Sequence, residues 1–146
     1  MGLFGKKKDG GLWASSRTPD YEHVIRETYS VYIGASMTYE RLLAHEDVPF
    51  KFKDAVRNYI LKETSSDTRI MDHLKKIDPG DAAALLYKQI RTRLTVTDLR
   101  EDEKGRHKVE TITFDEYMNA PVYTEHREDW FIQEIIISKL SLMTIG

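Results

Sequence analysis

WFIQEIIISKLSLM, from Trp130 to Met143, is the stretch whose reading decides the fold. At 3.6 residues per turn it falls within a last helix spanning Thr124 to Met143, with a wheel apolar almost all the way round. Trp130, Phe131, Ile132, Ile135, Ile136, Ile137, Leu140, Leu142 and Met143 cover most of the circumference. Only Glu134, Ser138 and Ser141 form a polar strip, with Lys139 standing alone. A helix of this kind must be buried on more than one side. The β-branched triplet Ile135-Ile136-Ile137 equally permits a strand. Read as a helix, the segment carries more apolar surface than one small core covers, so its spare face would meet another subunit. A symmetric dimer is the commonest solution. The candidate interface is then Trp130, Ile132, Ile136, Ile137, Leu140 and Met143.

Working back from Asn119-Ala120-Pro121, a break, the period is that of strands. Leu94-Thr95-Val96-Thr97-Asp98-Leu99 and Val109-Glu110-Thr111-Ile112-Thr113-Phe114 are rich in β-branched residues, and the polar run Glu101 to Gly105 separates them. The pattern predicts an antiparallel hairpin over 92–115, although 82–99 can also be read as one continuous helix. Further upstream the spacing is helical. Tyr21, Val24, Ile25, Tyr32, Ala35, Tyr39, Leu42 and Leu43 recur every three or four residues behind the capping pair Thr18-Pro19, which predicts a helix over 19–44. Gly34-Ala35-Ser36 in its middle suggests either a close packing contact or a kink. Phe52, Val56, Tyr59 and Ile60 mark a second helix over 50–63. Ile70, Met71, Leu74 and Ile77 mark a third, and Ala82 to Gln89 begins a fourth. Residues 1–17, with their glycines and Lys6-Lys7-Lys8, read as a flexible arm that Leu3, Phe4 and Trp13 could anchor. The expected fold is therefore α+β and mostly helical: four or five helices packed with one β-hairpin, in a single domain over 18–146. An all-helical bundle is the alternative.

Composition narrows the chemistry. The 146 residues hold no cysteine, which removes disulfides, thiolate nucleophiles and cysteine metal sites. A net charge of −2 gives no global field for nucleic acid. The head of the chain does not resemble a secretion signal, and no run approaches the roughly 18 apolar residues of a membrane span, so the expected setting is the cytoplasm, with no transmembrane segment.

Five histidines are the natural candidates for catalysis or metal binding. His23 and Glu27 stand four apart on the polar side of the first predicted helix, where such a pair is usually a solvated one. His45 suits a helix end, and His73, His107 and His126 carry no metal-ligand spacing. No Glu-x-x-His pair, no GxSxG elbow and no phosphate-cradling glycine loop occurs. No cofactor and no metal site is expected. Lys51, Lys53, Arg57 and Lys62, interleaved with Phe50, Phe52 and Tyr59, offer a basic second helix for single-stranded nucleic acid. At this spacing the aromatics are more simply a core face.

Three functions follow in order. The first is a non-enzymatic interaction or adaptor protein, acting as a homodimer with a protein partner. The second is a small-ligand or metal-dependent enzyme with its site assembled from His23, Glu27, His73 and His126. The third is a weak nucleic-acid binder, which the charge balance disfavours.

Overall fold

The computed structural model describes residues 21–145. The predicted arm over 1–17 and the Thr18-Pro19 cap lie outside them. Strand β1 (Val24–Arg26) turns into β2 (Ser30–Gly34), followed by α1 (Tyr39–Ala44) and α2 (Phe50–Ala55), which runs on as a π turn over Val56–Ile60. Then come α3 (Ile70–Lys76), α4 (Ala82–Gln89), β3 (Arg93–Glu101), β4 (His107–Thr113), α5 (Phe114–Asn119) and α6 (Pro121–Thr124). A short 3-10 turn at Arg127–Asp129, β5 (Trp130–Ser138) and α7 (Lys139–Leu142) complete the order.

The strands form one antiparallel sheet in the order β1-β2-β5-β3-β4. This corrects the mostly helical expectation and its all-helical alternative. The hairpin predicted over 92–115 is present as β3 and β4, but it supplies only two of the five strands.

The decisive stretch is the central strand. Trp130–Ser138 lies between β2 and β3 and is covered on both faces, which makes it apolar all round without being a helix. Its alternation is hidden by a bulge. Glu134 pairs with Thr95, but Val96 pairs with Ile132, so Gln133 is an extra residue on β5. Ile135 and Ile137 share the core face with Ile132 and Trp130 only because of that insertion.

The helix predicted over 19–44 is replaced by β1, β2 and the short α1. Ile33 lies well off the apolar arc of such a helix, yet it and Val31 are wholly buried and alternate with the half-buried Tyr32. Period two explains these residues, and period 3.6 does not. Gly34 stands where the chain crosses itself: a Cβ there would come within 2.2 Å of the Tyr21 carbonyl oxygen. The close-packing reading of Gly34 is thus right, in a strand rather than a helix.

One row of paired residues crosses the whole sheet: Val24, Ile33, Ile135, Leu94 and Ile112. It joins Leu42, Phe52, Ile70, Leu74, Tyr87 and Phe114 from the helices in a single apolar cluster. The second, third and fourth predicted helices appear as α2, α3 and α4. Ile70, Met71, Leu74 and Ile77 are all buried, as their spacing requires. Thr113 caps α5 through a reciprocal box with Glu116. The N-terminus of α4 is closed from a distance: the Glu63 carboxylate accepts from the Ala82 N–H at 2.5 Å and the Ala83 N–H at 3.2 Å.

Candidate functional site

Three polar groupings of side chains and one apolar gathering bear on function, and each follows from a local feature of the fold. The first lies on the sheet face opposite the row of Ile33 and Ile135. Glu134, beside the bulge, is paired with Gly34 and Thr95. Its Oε1 meets His23 Nε2 at 2.8 Å, and its Oε2 accepts from the Thr95 hydroxyl at 2.7 Å. Thr97 donates in turn to Gln133 Oε1. The Tyr21 ring stands edge-on to His23 and packs on Phe131. Burial, reinforced by the Glu134 carboxylate, raises the Tyr21 phenol above its ordinary pKa. His23 therefore finds Glu134, 111 residues away, rather than the Glu27 that sequence spacing offers. Both oxygens of Glu134 are engaged, so the carboxylate ties the lead-in of β1 to β5 and β3. Among the described residues, the hydrogen-bond partner of His23 Nε2 is Glu134, and no nucleophilic hydroxyl is bonded to it.

The second grouping is buried between helices. The Tyr39 hydroxyl (α1) is 2.7 Å from His73 Nδ1 (α3) and 2.9 Å from the Tyr87 hydroxyl (α4). Burial lowers the His73 pKa below the usual histidine value, against the opposing influence of the Glu63 and Asp81 carboxylates. Burial raises both tyrosines. This chain of bonds fastens three helices together.

His126 belongs to a third set with Glu128, exposed like it, and the half-buried Asp129, whose candidate ligand atoms lie within 4.8 Å of one another. Asp129 already faces Arg100 at 3.7 Å, so a positive charge occupies that quarter. The four residues proposed for a dispersed enzyme site thus do not converge: His23 is on the sheet, Glu27 in the β1–β2 turn, His73 among the helices and His126 at the surface. Of the basic second helix, Lys51 donates to the Ile145 carbonyl at 2.7 Å, Arg57 pairs with Asp54, and Phe52 is wholly buried in the core.

Sequence spacing gave no sign of Arg127. Its Nη1 donates to the Lys75 and Ile77 carbonyls at 3.2 and 3.0 Å, closing the C-terminus of α3, while its guanidinium lies over the Tyr117 ring. Tyr117 donates to the Leu74 carbonyl, and burial pushes its phenol up to about 12.

The interface predicted on the last segment divides sharply. Trp130, Ile132, Ile136 and Ile137 are buried inside the molecule and are withdrawn as interface residues. Leu140 and Met143 on and after α7 are 63% and 72% exposed. The Lys139 N–H bonds to the Tyr29 carbonyl, and Lys51 reaches Ile145, so Tyr29 (69% exposed) and Phe50 (72%) come to the same end of the molecule. Four large apolar side chains share this end without burial.

No family model matches the chain, and no curated protein does. Among solved structures the chain is similar to a carbon monoxide dehydrogenase from Hydrogenophaga pseudoflava that lacks the Mo-pyranopterin moiety of its molybdenum cofactor. The TM-score is 0.61 at 18% identity, over 85% of this chain and 42% of that one. It is also similar to the cyanide-inactivated form of a Cu,Mo-CO dehydrogenase, with TM-score 0.59 at 18% identity, over 82% and 41%. The chain therefore spans less than half the length of the chains it matches, and the likeness is one of fold. Among the described residues, no helix is long and apolar enough to cross a membrane.

Proposed function

We propose that this protein is a non-enzymatic interaction protein, an adaptor that works as a homodimer and presents one apolar end to a protein partner. The observation that carries the reading is the gathering of Tyr29, Phe50, Leu140 and Met143, all more than half exposed, where β1–β2, α2 and α7 meet. Large apolar side chains left exposed together at one end point to a binding role more than singly scattered ones do. Flexible methionine and aromatic side chains suit an amphipathic helix or similar ridge on the partner. The polar groupings support it indirectly, because their principal groups are spent on holding strands and helices together. A cytoplasmic setting completes the reading.

The test is site-specific photo-crosslinking in the native host. A photoreactive phenylalanine replaces Leu140, and a control replaces Leu85, which is similarly exposed on α4. The expected result is one reproducible protein adduct at 140 and none at 85. Equal labelling at both positions would sink the reading.

A further inference from the structure

Self-association needs a surface, and Trp130 to Ile137, held inside the sheet, do not supply it. The sheet has two edges. The β1 edge is three residues long, and its lead-in folds over Gly34. The β4 edge is seven residues long and pairs only with β3 among the described strands. It contains no proline or glycine, so its outer N–H and C=O groups can be extended by another strand. Such edges are usually guarded by charge, and β4 carries Lys108 and Glu110, which pair with each other at 3.4 Å on one face. Between them, on the other face, Val109 is 56% exposed.

That arrangement is self-complementary. A two-fold axis at Val109 sets two β4 strands antiparallel, with Val109 against Val109 and His107 against Thr111. Lys108 of each copy then lies opposite Glu110 of the other, twice. Opposite charges directly across an antiparallel pair are favourable and like charges unfavourable. The guard that repels an arbitrary strand thus accepts a second copy of this one. We infer that the outer edge of β4 is where two copies of the chain join, giving a continuous ten-stranded sheet centred on Val109. The inference rests on the homodimer reading above and names its surface.

Sedimentation velocity on the full chain, at concentrations on the order of 100 μM, tests it. The wild type is expected to be a dimer. Lys108→Glu places like charges opposite each other twice and should weaken association roughly tenfold or more. The swap Lys108→Glu/Glu110→Lys should restore it. Lys108 is solvent-exposed, so Lys108→Glu should leave the fold intact, which far-ultraviolet circular dichroism checks alongside. A dimer that Lys108→Glu leaves intact would overturn the β4 edge while leaving self-association standing. A wild type that is monomeric throughout the concentration range would overturn both.

Discussion

The Tyr87–Tyr39–His73 chain has only one satisfactory direction for its hydrogens. If Tyr87 donates to Tyr39 and Tyr39 donates to His73 Nδ1, every hydroxyl hydrogen is used. If instead His73 Nδ1–H donates to Tyr39, then Tyr39 must donate to Tyr87. The Tyr87 hydrogen is then buried with no acceptor among the described residues, which costs on the order of 1–3 kcal/mol. His73 is therefore neutral, with its proton on Nε2, and protonating Nδ1 reverses the chain. Burial lowers the folded-state pKa below the unfolded value of about 6.5, so the unfolded chain binds more protons in that window. Stability should fall as pH drops from about 6.5 towards the lowered pKa, and His73→Gln should remove that component of the loss. Nitrogen-15 spectra of the imidazole check the tautomer directly, and a protonated Nδ1 at neutral pH would refute the assignment. None of this was legible in Met71-Asp72-His73-Leu74. Helical spacing correctly put Leu74 inward, but no local pattern tells a histidine that a tyrosine 34 residues earlier will meet it.

At the scale of elements, the sequence was readable where one period held and misleading where it broke. α2, α3 and α4 each keep a single period, and the β3–β4 hairpin keeps one register from Arg93–Thr113 to Thr97–Val109 before it shifts near the turn, so these elements are legible. β5 is not: the bulge at Gln133 shifts its alternation by one residue and leaves an apolar run indistinguishable from a buried helix. The region of β1, β2 and α1 fails differently, because Tyr21, Val24, Ile25, Tyr32, Ala35 and Tyr39 happen to fall at helical spacing across three separate elements. Gly34 was the one residue that marked the close crossing there. Gly34→Ala drives a Cβ into the backbone of Tyr21, 2.2 Å from its carbonyl oxygen, with no flexible side chain to yield. The Tyr21 and Ser36 bonds that pin the lead-in of β1 should be lost, together with the packing of Tyr21 on Phe131. The expected cost is about 2 kcal/mol or more, read as a lower urea midpoint. Amide exchange should rise first at 21–26, and a variant with unchanged protection there would contradict the crossing.

At the scale of the whole molecule, the two proposed surfaces lie at different places in the sheet order, and this has a consequence for how an adaptor would work. β4 is the outer strand on one side, whereas Tyr29 belongs to the β1–β2 turn on the other, beside Leu140 and Met143. Joining two copies at β4 leaves both apolar ends facing outward, so the dimer would present two equivalent partner sites. Two linked sites raise the effective strength of binding to a multivalent partner without any new contact. The arrangement requires the surfaces to be separable. Leu140→Asp/Met143→Asp removes the apolar end and should leave the sedimentation coefficient of the dimer unchanged, while abolishing the crosslinked adduct at a photoreactive Phe50. Lys108→Glu should do the reverse, keeping the adduct in a monomer. A Leu140→Asp/Met143→Asp variant that sediments as a monomer would mean that the copies meet through the apolar end itself. That end would then be the dimer contact rather than a partner site, and the adaptor reading would lose the surface on which it stands.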